Sequence, residues 1–112
     1  MIIRYTPKAL QDLRGIKESI LEKFESENIA ERVLRNITTS INDLAIFPYK
    51  GVELKTVIRI ETDYRYLFRE KNYVFYRIGN EEVSIIRVLN EKQDYMRILF
   101  GISDAEDELE NN

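Results

Sequence analysis

Between Glu53 and Leu99 the chain alternates runs of β-branched and aromatic residues with short polar breaks. Thr56-Val57-Ile58-Arg59-Ile60, Tyr64 to Arg69, Tyr73 to Ile78 and Val83 to Leu89 each have the composition and length of a strand. The breaks Glu61-Thr62-Asp63, Glu70-Lys71-Asn72 and Gly79 to Glu82 suit hairpin turns and are too short for crossover helices. These strands are therefore expected to pair antiparallel in chain order, as a meander. Alternation along the second of them puts Arg65, Leu67 and Arg69 on one face and Tyr64, Tyr66 and Phe68 on the other. The arginine face is the first candidate for function.

Ahead of the meander the period changes from two to about 3.6. Ile2 to Tyr5 reads as a short strand, and Thr6-Pro7 is a helix start with Thr as N-cap and Pro at the first helical position. Ala9, Leu13, Ile16, Ile20 and Phe24 then form one stripe, widened by Leu10 and Leu21. Gly15 interrupts it at a cost of about 1 kcal/mol relative to Ala, so either a neighbour packs closely there or the helix simply tolerates it. Asn28 with Glu31 resembles a capping box, opening a second stripe of Ala30, Val33, Leu34, Ile37, Ile41 and Leu44 that spans about Ile29 to Ile46. The short Glu25-Ser26-Glu27 link makes the two helices an antiparallel hairpin. Pro48 and Gly51 close the second helix.

Gln93 to Phe100 allows one or two last helical turns, with Tyr95, Ile98 and Leu99 against the sheet edge. The order predicts an α+β fold: an N-terminal strand, an antiparallel two-helix hairpin packed on a mostly antiparallel β-meander sheet, and a short C-terminal helix. One sheet face is expected to stay open for a partner or substrate. Residues 1–100 form the expected domain and 101–112 an acidic tail, with Ser103 to Asn112 lacking the apolar content to order.

Composition narrows the chemistry. At 112 residues and 44% hydrophobic content, one domain can bury a core without staples. There is no Cys and no His, which excludes disulfides, thiol and imidazole catalysis, and metal sites built on either. No cofactor is expected. The N-terminus has no apolar run for a signal or membrane span, so a cytoplasmic protein is the default. The net charge of −3 hides an asymmetry, because the last twelve residues hold five acids and no base, while the rest holds 17 basic and 15 acidic side chains. So small a surplus does not by itself argue for nucleic acid.

These features together resemble the RelE/ParE superfamily of toxins from bacterial type II toxin–antitoxin modules. The resemblance rests on Tyr5-Thr6-Pro7 through Leu13, the hairpin ending Leu44-Ala45-Ile46-Phe47-Pro48, Gly51 with Leu54, Tyr64 to Phe68, Tyr73 to Ile78, and Val83 to Leu89 followed by Asp94-Tyr95. It implies a growth-inhibiting toxin neutralised by a cognate antitoxin encoded beside it. In RNA-cleaving members an Arg follows the Tyr of the second meander strand, which Arg65 matches. Many members carry a His and, two residues on, an Arg where this chain has Asn90 and Lys92.

Cleavage of RNA needs a base for the 2′-hydroxyl, positive charge at the phosphate and a proton for the leaving oxygen. The resemblance assigns phosphate binding to Arg65 and Lys92, and leaves Tyr95, Glu91 or a lysine for proton transfer. The long hairpin is similar to the ParE branch, which acts on DNA gyrase and needs no nuclease site. ParE-like gyrase inhibition is therefore placed ahead of RelE-like cleavage of mRNA on the ribosome, with a non-toxic antitoxin-binding module as a further alternative. Gyrase contacts are expected on Lys17, Lys23, Arg32 and Arg35 of the hairpin and around Asp94 to Phe100. Taken alone, Arg65 and Arg69 read first as cross-strand ion-pair partners, Arg59 and Lys55 as a solvated face, the sheet tyrosines as core and rim, and Arg87 as the partner of a buried or edge carboxylate; the resemblance brings the functional reading of Arg65 level with the structural one.

Overall fold

The computed structural model describes residues 1–102. The tail from Ser103 lies outside the described residues. Strand β1 (Ile2–Tyr5) leads into helices α1 (Pro7–Phe24) and α2 (Glu27–Asn42). Strands β2 (Val52–Glu53), β3 (Arg65–Arg69), β4 (Asn72–Ile78) and β5 (Glu82–Asn90) follow, then helix α3 (Tyr95–Phe100). The sheet runs in the order β1-β5-β4-β3-β2. β1 pairs parallel to β5 and every other pair is antiparallel, so the mixed α+β sandwich with a meander is as expected.

The hairpin packs on one face of the sheet. Ala9, Val33, Ile37, Ile41 and Leu44 meet Val74, Tyr76, Val83, Ile85 and Val88 in the main core. Thr6 caps α1 as its position before Pro7 implies, its Oγ1 accepting from Ala9 N at 3.1 Å.

Four expectations are corrected. Thr56 to Ile60 is no strand: β2 pairs with β3 in its place, through Val52 opposite Tyr66 and Glu53 opposite Arg65. The chain then leaves the sheet in a 3₁₀ turn, Leu54–Thr56, because Leu54 is almost completely buried beside Phe75 and Leu89. The second helix starts at Glu27, since Ser26 Oγ accepts from Ile29 N at 3.2 Å and fills the cap assigned to Asn28. It ends at Asn42, after which a 3₁₀ turn, Asp43–Ala45, carries Leu44 into the core.

The fourth correction concerns the open face. α3 lies over the sheet face away from the hairpin, where Tyr95, Ile98, Leu99 and Phe100 pack with Ile58, Tyr64, Tyr66 and Tyr73 around Leu54, Phe75 and Leu89. Phe100 stacks on Tyr64 at 6.0 Å and Tyr95 sits 5.2 Å from Phe75. Aromatic bulk on that face was legible in the sequence. Burying it takes a cover, and the short helix supplies one.

Candidate functional site

β1 ends at Tyr5 while β5 continues to Asn90, so the outer edge of β5 from Ile86 onward has no strand neighbour among the described residues. α1 takes its place there. Thr6 Oγ1 donates to the Ile86 carbonyl at 2.8 Å, and Asp12 accepts from the Val88 amide at 2.9 Å. The same carboxylate accepts two bonds from Arg87, Nε at 2.8 Å and Nη2 at 2.9 Å. Arg87 reaches it because one extra residue in β5 breaks the register opposite Phe75 and Tyr76, and a bulge of this kind re-aims side chains. The hydrogen bonds of Asp12 hold Arg87 above its ordinary range against the opposing effect of burial. A structural role with a carboxylate is what its place in an apolar run implied.

Beyond this contact α1 and the sheet diverge, leaving an open groove of about 590 Å³. One wall is Gly15, Ile16, Ser19 and Ile20 of α1, and the other includes Val88, Asn90, Asn72 and the turn Glu70–Lys71. A Cβ added at Gly15 would meet nothing within 4 Å, so the glycine is tolerated rather than required by packing.

The far wall is strained. Arg69 pairs with Asn72, making Glu70–Lys71 a two-residue turn in which both residues have positive φ, 53° and 61°. That is the backbone of a type I′ hairpin, which suits the twist of the strands but costs a non-glycine residue on the order of 1 kcal/mol. Asn36 Nδ2 donates to Glu70 Oε1 at 2.7 Å, Glu91 N to the Lys71 carbonyl at 2.9 Å, and Asn72 Nδ2 to the Glu70 carbonyl at 2.8 Å. Asn72 is 3% exposed, and its Oδ1 meets no donor among the described residues.

The residues expected to handle RNA lie apart. Arg65 stands on the hairpin-facing side of β3, opposite Tyr76. Its Nη1 donates to the Gly51 carbonyl at 2.8 Å, its Nη2 meets Glu53 at 3.0 Å, and its guanidinium covers the Tyr49 ring at 5.0 Å. Tyr76 completes this node, its hydroxyl donating to the Pro48 carbonyl at 2.7 Å and accepting from Gly51 N at 2.9 Å. A Cβ on Gly51 would come within 2.5 Å of that hydroxyl and 2.8 Å of the Tyr66 carbonyl, so this glycine is required.

Tyr95 is on the opposite face, half-buried against Tyr73 and Phe75, where burial first and the neighbouring tyrosines second push its phenol up. Lys92 is exposed in the turn after β5, its backbone amide bonded to Asn90 Oδ1 at 3.0 Å. Among the described residues the structure does not bring Arg65, Lys92 and Tyr95 into contact. Arg59 and Lys55 are exposed, and Lys17, Lys23, Arg32 and Arg35 are exposed and make no ion pair among the described residues.

Sequence reasoning passed over Asp12 and Asn72. The signal for Asp12 was the lone Arg87 in an apolar strand, which demands a carboxylate nearby. Asn72 gave none, because a polar residue after a turn reads as solvated. The node at Gly51 rigidly presents a second surface, with Ile46, Phe47 and Tyr49 more than 60% exposed. No described helix is long and apolar enough to cross a membrane.

A search of curated proteins finds no match. Among solved structures, one titled as the chromosomal ParDE TA system from P. aeruginosa superposes with a TM-score of 0.68 at 21% identity, covering 80% of this chain and 95% of that one. At that identity the likeness speaks for the fold. The family itself is shown by sequence: residues 3–95 match the model described as ParE toxin of type II toxin-antitoxin system, parDE, and the chain belongs to that family.

Proposed function

We propose that this protein inhibits growth by inhibiting DNA gyrase, and that a cognate antitoxin neutralises it by seating an amphipathic segment in the groove between α1 and the sheet. The observation that carries the gyrase reading is the separation of the cleavage candidates. Arg65 is held by Gly51, Glu53 and Tyr49 on one side of the sheet while Tyr95 packs on the other. Blocking a protein target needs no such centre, only a complementary surface. Lys17, Lys23, Arg32 and Arg35 would steer the encounter, and rigidly held apolar groups such as Phe47 and Ile46 would anchor it.

The antitoxin reading follows from family membership and from the groove, which has an apolar floor, polar rims and no occupant from the described chain. A dissociation constant near or below 1 nM is expected; one weaker than about 1 μM, about −8 kcal/mol, is too little to neutralise a toxin.

The deciding experiment pairs two assays on the same preparation. Purified protein should block gyrase supercoiling or trap cleaved DNA, and expression should filament cells without new 5′ ends appearing in cellular mRNA. If gyrase stays active at a large molar excess while mRNA is cut, the target is RNA. In that event Arg65 and Lys92 would hold phosphate, and Tyr95 would handle the proton transfer. Harmless expression with intact antitoxin binding would make the chain a binding module only.

A further inference from the structure

Behind the groove wall lies one polar side-chain atom that is buried and has no partner among the described residues. Asn72 Nδ2 is committed to the Glu70 carbonyl, which settles which end of the amide is oxygen. The remaining Oδ1 is buried and unbonded. Native proteins rarely leave such an acceptor empty, and the exceptions call for a water or a ligand group. Its setting favours a ligand, because Asn72 adjoins a turn with two non-glycine residues at positive φ and belongs to the wall of the open groove together with Val88 and Gly15.

We propose that Asn72 Oδ1 is a specificity acceptor, meeting an N–H or O–H donor on the antitoxin segment that fills the groove. This rests on the docking reading above and adds to it the residue that selects the partner. An apolar segment alone would seat on Ile16, Ile20 and Val88 but leave the acceptor buried and unmet. A segment with a donor at the right position completes it, and such sites reject analogues lacking the donor far more strongly than apolar pockets reject a missing methylene. To reach Oδ1 the segment must displace the Glu70–Lys71 turn or swing the amide toward the groove. Swinging the amide gives up one bond, from Nδ2 to the Glu70 carbonyl, whereas displacing the turn would also break those from Asn36 and Glu91.

The test measures binding of the full-length protein to the antitoxin encoded beside it, for wild type, Asn72→Leu and Gly15→Trp. Gly15→Trp puts bulk on the α1 wall of the groove, at a position where a Cβ meets nothing within 4 Å. If it binds as tightly as wild type, the docking reading fails. With that reading intact, Asn72→Leu should weaken binding at least tenfold while the free protein still unfolds cooperatively, because the substitution removes the unmet Oδ1 along with the bond to the Glu70 carbonyl. Unchanged affinity in Asn72→Leu overturns the acceptor role and leaves the groove standing. Should Asn72→Leu misfold, wild-type protein decides alone: the Asn72 side-chain ¹³Cγ and amide resonances must shift on complex formation, and unmoved resonances refute the proposal.

Discussion

Asp12 joins α1, the outer edge of β5 and Arg87 through one carboxylate. The ion pair is no surface ornament, since the side chains of Arg87 and Asp12 are only 20% and 12% exposed. Asp12→Ala would leave a half-buried guanidinium unpaired and the Val88 amide unbonded. A loss of about 2–3 kcal/mol is expected, read as a lower urea midpoint at unchanged slope. One turn along the same helix the opposite sign is expected. Gly15→Ala adds a methyl to empty space on an exposed helix position, and should raise stability by about 0.5–1 kcal/mol in the same measurement.

At the level of elements, helix starts follow the residue whose backbone is extended and whose side chain reaches back. Ser26 has φ −128° and ψ 112° and bonds Ile29 N, after Glu25 turns the chain at φ 50°. Asn28 is already inside the helix. Ser26→Ala is expected to lower the thermal midpoint by the equivalent of about 1 kcal/mol, and Asn28→Ala to leave it nearly unchanged. A larger effect at Asn28 would reinstate the cap expected from the capping-box pattern. α3 shows the other way an element arises: six residues are too few to hold a helix by themselves, and packing on Tyr73, Phe75 and Leu89 holds this one.

Over the whole molecule, stability should depend on the buried phenols at alkaline pH. Burial raises Tyr5, Tyr76 and Tyr95 above the ordinary value near 10, although the Gly51 amide and Arg65 pull Tyr76 partly back. Below about pH 10 both folded and unfolded chains keep these protons, so their contribution is fully present. Above it the unfolded chain releases protons that the folded one retains, and stability falls as pH climbs through the folded values. Urea midpoints measured from pH 8 to 11 should therefore drop at the alkaline end. Tyr95→Phe should flatten that drop without removing a hydrogen bond, because the Tyr95 hydroxyl makes none among the described residues.

The sequence by itself determined the element order, the Thr6-Pro7 helix start, the antiparallel hairpin, most of the meander and the family. These follow from local stereochemistry and from period, which a chain carries in consecutive residues. It also announced that Arg87 needed a carboxylate and that Tyr64, Tyr66 and Phe68 share a face. Only the tertiary structure decided which partners answered. Asp12 is 75 residues from Arg87, and Gly51 lies 25 from Tyr76, so neither contact leaves a trace in local pattern. Alternation placed Arg65, Leu67 and Arg69 on one face, but whether that face met the hairpin or solvent depended on how the layers stack. The hairpin covers it, α3 covers the other, and the remaining concavity opens where β1 stops short of the end of β5. That mismatch in strand length is what makes the groove and exposes the question Asn72 poses, because a free strand edge and an unmet acceptor exist only once the sheet has closed around them.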